Sequence, residues 1–310
     1  MTRRALVLAA VAALGAAAAA PAHAAAVRQY WVAAVPVTWN VVPNGGDAIM
    51  GDTYPPSMTV FPTITYRRYS PGWKRPLPNS AGTSQPSSSI PGPLLRARVG
   101  DRLVVHFKNM DTLFEQPHSM HFHGVHYRPS SDGAYVPGFS GRDGDVKPGQ
   151  TWTYRLRAER DSHGVWPYHD HSPSMEQSIQ GGLYGALSIL GRQERAPDRE
   201  FVVYFEATHG FETIDGRAFV GNTPVLRSRV GELVQWDVLA LGSEFHTFHV
   251  HGHRWREHRT PRDTKTIGPA ESFRVRWRED DPGTWLYHCH VEQHMMHGMI
   301  GIYRVSGRRR

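Results

Sequence analysis

Cysteine is nearly missing from this chain: among 310 residues there is one, Cys289. No disulfide can close within a single chain, so order must come from a packed core and not from cross-links. Long apolar runs are scarce as well. The one such run, Ala5 to Ala20, has 16 residues, short of the roughly 20 that a spanning helix needs. Helical periodicity is absent over any long stretch and is suggested only just after His290. The formal charge of +7 is not accompanied by aromatic residues interleaved with a basic patch, so neither a nucleic-acid partner nor a membrane span is expected. The charge is read as a solubility and surface-adhesion property, and Arg308 to Arg310 as a solvated terminus.

The apolar run follows Arg3 and Arg4 and precedes Ala22-His23-Ala24. A basic start, a short apolar core and an A-x-A site predict a signal peptide over residues 1–24 and an exported protein, periplasmic or extracellular. Thr2-Arg3-Arg4 also fits twin-arginine export. Exported proteins ordinarily use cysteines in pairs. A lone one needs another explanation.

What the chain has in quantity is glycine (30), proline (23) and histidine (19). Strand-like runs separated by Pro/Gly turns cover Leu103 to Phe107, Thr151 to Leu156, Gly185 to Leu190, Phe201 to Phe205, Ser272 to Trp277 and Ile300 to Val305. Three blocks occur twice in the same order, about 120–130 residues apart. Arg98-Val-Gly-Asp101 matches Arg229-Val-Gly-Glu232. His118-x-x-His121-x-His123-Gly124 matches His246-x-x-His249-x-His251-Gly252. Gly164-x-Trp166-x-Tyr168-His169-Asp170-His171 matches Gly283-x-Trp285-x-Tyr287-His288-Cys289-His290. The repeat predicts an all-β protein of two similar antiparallel sandwiches, residues 25–195 and 196–310, with the break near 191–199. Ser70 to Gly92, rich in Pro and Ser, is expected to be a long surface loop.

Spacing carries the chemistry. On a strand, residues i and i+2 share a face about 6.6–6.8 Å apart. Each H-x-H therefore offers two imidazoles to one metal or to neighbouring metals, and four pairs occur: His121/His123, His169/His171, His249/His251 and His288/His290. The same parity turns Cys289 away from His288 and His290, and His246 away from His249 and His251. Cys289 and His246 are thus free to meet on the far side, with His294 and Met299 following closely. A cysteine, two histidines and a weak axial methionine form a blue-copper ligand set.

These motifs resemble all four copper motifs of the multicopper oxidases, over roughly residues 90–305. The resemblance implies two cupredoxin-like Greek-key domains and four coppers. Cys289, His246, His294 and axial Met299 would hold one type 1 copper. His121 and His249 would hold one type 2 copper. His123, His169, His171, His251, His288 and His290 would hold two type 3 coppers. It further implies O2 and a small reducing substrate as partners, with electrons passing from Cys289 to His288 and His290. Since the middle domain of the larger members is missing, the chain is similar to the two-domain small laccases. That type implies a homotrimer whose trinuclear cluster lies at the subunit interface, a head-to-tail ring. Nitrite reductases, which share the two-domain trimer, have their type 1 site in the first domain; here Asp170 stands where its cysteine would be.

The activity implied is laccase-like oxidation of phenols or aromatic amines. Tyr30-Trp31 to Trp39 and the Gly283 to Met299 block also resemble ceruloplasmin-type ferroxidases, which makes metal-ion oxidation the alternative, with Glu292 and Glu257 as candidate acids near His294. An electron carrier without turnover would need only the Cys289 ligands and would leave eight paired histidines without a purpose. Asp132 is a candidate proton relay and Tyr127 a candidate redox-active side chain. His118 is expected to be a relic or a hydrogen-bonded surface histidine, or else an accessory metal ligand with Asp170. His106 reads as a strand residue, and His126, His163, His253, His258 and His297 as supporting or surface residues.

Overall fold

The structure is a computed structural model and describes residues 24–79 and 90–307. The expected signal peptide and the Arg308 to Arg310 tail lie outside the described residues, except for Ala24. Among the described residues no helix is long and apolar enough to cross a membrane.

Eight strands build the first half: β1 (Val27–Asn40), β2 (Val60–Tyr69), β3 (Leu95–Arg98), β4 (Arg102–Asn109), β5 (His121–Phe122), β6 (Thr151–Arg157), β7 (Gly164–His169) and β8 (Tyr184–Leu190). They form two sheets, β2-β1-β4-β6 and β3-β8-β7-β5. The second half runs β9 (Arg199–Thr208), β10 (Phe211–Ile214), β11 (Val225–Arg229), β12 (Leu233–Ala240), β13 (His246–Val250), β14 (Trp255–Glu257), β15 (Thr260–Arg262), β16 (Thr264–Ile267), β17 (Ser272–Arg278), β18 (Gly283–Cys289) and β19 (Ile300–Ser306). Its main sheets are β10-β9-β12-β17 and β11-β19-β18-β13-β16. The pairings repeat. Parallel β1/β4 corresponds to parallel β9/β12, parallel β3/β8 to parallel β11/β19, and antiparallel β5/β7 to antiparallel β13/β18. Both halves are cupredoxin-like β-sandwiches.

Alternation along the strands sends one face of each sheet inward. Val32, Tyr66, Phe107, Tyr154 and Tyr168 pack in the first core, and Trp236, Phe248, Tyr287 and Tyr303 in the second. A third apolar cluster joins the halves, with Trp39, Ile90 and Tyr184 against Tyr204, Phe219 and Leu239. Trp39 Nε1 donates across this seam to the Gly216 carbonyl at 2.7 Å. Arg274, paired with Asp237 at 2.7 Å, also crosses it to the Ile189 carbonyl. The expected surface loop from Ser70 to Gly92 is corrected at two described positions, Asn79 and Ile90. Asn79 is buried and donates to the Tyr66 carbonyl at 2.9 Å, and Ile90 is buried in the third cluster.

Among the described residues there are three short α-helices: α1 (Pro56–Thr59), α2 (Met175–Gln180) and α3 (Glu292–Met296). The last two occupy matching places after the third repeat block. The glycine after each H-x-H has a packing reason. A Cβ on Gly124 would lie 2.0 Å from the Trp166 ring, and one on Gly252 2.7 Å from that of Trp285. The tryptophan of the third block thus lies on the backbone of the second, which sets the two histidine pairs of each half side by side.

Candidate metal centre

Strand pairing assembles the sites as parity demands. In the first half His121 is registered opposite His169, and in the second His249 opposite His288. His123 Nε2 and His169 Nε2 come within 3.1 Å, as do His251 Nε2 and His288 Nε2. His171 joins the first group, 5.3 Å from His121 between ring centroids, and His290 the second, 5.5 Å from His249. Backbone carbonyls orient the rings by accepting from Nδ1: Asp132 from His121 (2.7 Å), Asp170 from His169 (2.9 Å), Asp263 from His249 (2.7 Å) and Cys289 from His288 (2.8 Å). Each bond fixes a tautomer whose Nε2 lone pair is free for a metal. Burial, with like-charged neighbours adding, pushes His123, His169 and His288 down to about 4. At neutral pH they are bases with nothing to displace, as metal ligation requires.

These are two half-sites. His121, His123 and His169 form one group within 4.8 Å, His249, His251 and His288 another, and among the described residues no group mixes the two halves. His290 is exposed, and His171, His249 and His251 are only partly covered.

Behind the second half-site, Cys289, His246 and His294 meet in a fully buried group. Sγ lies 3.8 Å from His246 Nδ1 and 3.7 Å from His294 Nδ1, and the two nitrogens are 3.1 Å apart. Met299 is buried beside them, its carbonyl accepting from Cys289 N at 3.1 Å. Burial pushes His246 down to about 4 and raises the thiol. His294 Nε2 lies 2.7 Å from Glu244 Oε2. Once Nε2 donates there, Nδ1 is left as a lone pair facing the sulfur. One sulfur and two imidazole nitrogens, dry and converging, fit a copper of the blue type.

Sequence reading missed the carboxylates here. Glu212 and Glu244 form a metal-capable group with His294, all within 4.8 Å. Behind them Glu206 is buried with both oxygens unpartnered, and burial with Glu212 and Glu244 pushes it up to about 8. Glu257 is elsewhere, paired with Lys265, and Glu292 is exposed on α3 outside this group. The one signal available was proximity: Glu244 is two residues before His246, just ahead of β13.

In the first half the equivalent site is closed. His118 is buried, not at the surface, with Nδ1 3.4 Å from Asp170 and Nε2 3.2 Å from Asp111. Burial alone would lower His118, but the two carboxylates raise it. Asp170 N donates to the Leu183 carbonyl as Cys289 N does to that of Met299. Leu183 therefore stands for Met299, and Ser178, whose hydroxyl donates to Asp170 at 2.6 Å, for His294. His118, hydrogen-bonded to Asp111 and Asp170, stands where the second half has its metal-binding set.

Asp132 and Tyr127 both lie against the first half-site. Asp132 Oδ1 is 3.4 Å from His121 Nδ1, and the Tyr127 ring centroid is 6.3 Å from that of His121. Burial and Asp132 push Tyr127 up to about 12. Four other histidines make structural pairs: His126 with Asp161, His163 with Glu194, His253 with Glu279 and His106 stacked on Trp31.

Two β-sandwiches with a buried Cys-His-His set and paired histidine clusters define a blue-copper protein of the oxidase type. Family models described as multicopper oxidase match residues 81–194 and 194–308, and the chain belongs to the multicopper oxidase family. It is 29% identical over 90% of its length to human ferroxidase HEPHL1, and 28% identical over 90% to human ceruloplasmin. It spans under a third of the length of these relatives (29% and 30%). Its fold is similar to that of a blue copper oxidase from Nitrosomonas europaea, with a TM-score of 0.67 at 21% identity, covering 90% of this chain and 86% of that one.

Proposed function

We propose that this chain is a metal-ion oxidase that takes electrons from a hard divalent cation, with Fe2+ as the best fit, at the outer edge of His294. The observation that carries this reading is the Glu244 and Glu212 pair on that imidazole. Carboxylate oxygens suit a hard cation and suit Cu+ poorly, since Cu+ prefers sulfur. They hold the more highly charged oxidised ion more tightly than the reduced one, which favours loss of its electron. The ferroxidase named among the relatives supports the same direction.

Cys289, His246, His294 and Met299 would hold one copper, His121 and His249 a second, and the other six histidines a pair. Copper so held supplies one-electron acceptance at the cysteine site and the reduction of O2 to water at the histidine cluster. The chain provides the path and the protons. His288 and His290 flank Cys289 covalently, and the Cys289 carbonyl accepts from His288 Nδ1. Asp132, part exposed beside His121, exchanges protons between solvent and the cluster, and the Tyr127 hydroxyl is bonded to it. Each half-site offers only part of a cluster, which supports a head-to-tail ring in which the first domain of one chain meets the second domain of the next, and the resemblance to the two-domain small laccases makes that ring a homotrimer. The basic start, short apolar run and Ala22-His23-Ala24 support a location outside the cytoplasm.

A laccase-like reading, with phenols or aromatic amines as reductants, is favoured by Phe245 and Met296, exposed apolar neighbours of His246 and His294. Steady-state kinetics on the copper-loaded enzyme with Fe2+, Cu+ and a phenol separate the two. The metal-ion reading expects the highest kcat/KM for Fe2+, and it is lost if the phenol exceeds it.

A further inference from the structure

A cavity of about 520 Å³ lies on the first domain, away from the Cys289 site, and arginines surround it. Arg102, Arg128, Arg155 and Arg157 line it together with His126 and Tyr127, and no carboxylate does. Arg157 is paired with Glu159 and His126 with Asp161. Arg102, Arg128 and Arg155 have no ion-pair partner among the described residues. Val27 and Val104 supply apolar surface between them.

The register makes this arrangement costly. On the β4/β6 pair, Arg102 is directly opposite Arg157, and Arg155, two residues along, points to the same face. Like charges facing across strands destabilise a sheet. β6 is the edge strand and all three side chains are exposed, and of the three Arg157 alone is offset by a carboxylate, that of Glu159. Guanidinium groups crowded in a concave, partly apolar site match an oxyanion with two-pronged hydrogen bonds. The volume is within the range of small-molecule sites.

We propose that this cavity binds a small organic anion, a carboxylate or sulfonate on an apolar body, and seats it against Tyr127. Tyr127 also stands edge-on to His121, 6.3 Å away between ring centroids, so the bound anion lies one side chain away from the oxygen-reducing half-site.

The test is calorimetric titration of the copper-loaded full chain, under nitrogen, with 1-naphthoate, the neutral 1-naphthalenemethanol and inorganic phosphate. Naphthoate should bind saturably, once per chain, and about tenfold or more tighter than the neutral alcohol. Phosphate should compete only at far higher concentration. Arg102→Gln with Arg155→Gln should weaken naphthoate by about tenfold or more while copper content is kept. The melting midpoint of that variant should be equal or higher, because a repulsion has been removed. Any of four outcomes overturns the proposal: no saturable binding, equal affinity for the alcohol, phosphate competing as well as naphthoate, or undiminished binding in the double variant. The last would place the anion on copper.

Discussion

Glu244 Oε2 lies 2.7 Å from Nε2 of His294, while Nδ1 of the same ring faces Cys289 Sγ at 3.7 Å. One imidazole therefore joins an exposed carboxylate to a buried thiol. A cation docked on Glu244 and Glu212 would be a single side chain from the electron acceptor.

Glu244→Gln keeps the shape and removes the charge. The expected result is a KM for Fe2+ raised by about tenfold or more, since one charged contact amounts to roughly 1.5–3 kcal/mol. Oxidation of a neutral phenol should change less than about twofold. A parallel fall in both activities would mean that Glu244 tunes His294 and does not hold the substrate.

Cys289→Ser removes the thiolate and leaves every histidine in place. The strong blue absorption should vanish and turnover with it, while copper at the histidine half-sites is largely retained. Absorption spectra with metal analysis check this. A variant that is still blue would refute the ligand assignment.

Met299→Leu should raise the reduction potential of the cysteine site, because an axial thioether lowers it relative to an apolar side chain. Redox titration of the blue band measures it. An unchanged or lower value would exclude Met299 as a ligand.

The sequence showed the histidine pairs and Cys289 because strand parity is local: His121/His123 and His249/His251 need only alternate positions on one strand. The repeat showed the two sandwiches for the same reason, since Trp166 and Trp285 stand at equal distances from their histidines. What stayed hidden depends on distant contacts. Glu212 reaches His294 from β10, more than 80 residues upstream, and Glu206 on β9 interacts with Glu212 and Glu244. Asp111 clamps His118 through a loop whose shape no spacing predicts. The equivalence of Ser178 and His294 is masked by a longer connection, 13 residues from Asp170 to Leu183 against 10 from Cys289 to Met299.

Asp215 tests the seam between the halves by pH. It is fully buried, and desolvation, eased by the Tyr204 N–H at 3.0 Å, pushes it up to about 7. An unfolded aspartate titrates near about 3.9. Below that value both states are protonated and Asp215 costs nothing. As pH rises from about 4 to 7 the unfolded chain releases its proton while the folded one keeps it, so stability falls, then levels off. Asp215→Asn cannot ionise and suits the positive φ of 55°. It should therefore be more stable by about 2–4 kcal/mol at pH 8, with the gain vanishing near pH 4. Denaturant midpoints at the two pH values decide it, and an equal gain at both would contradict the burial argument.

The separation of the half-sites gives a test of shared assembly that no single-chain cluster could pass. One variant loses the first half-site through His121→Ala and His123→Ala; another loses the second through His249→Ala and His251→Ala. Each alone should be inactive towards O2. In a head-to-tail ring, an intact site forms wherever a first domain from the second variant meets a second domain from the first variant. That second domain still carries Cys289, so electron entry is preserved. Random co-assembly should thus restore about one quarter of the sites, and of the activity, per chain. Size-exclusion chromatography with light scattering would report the trimer, and O2 uptake the recovery. If the mixture remains inactive although mixed trimers form, the two half-sites do not complete each other across chains.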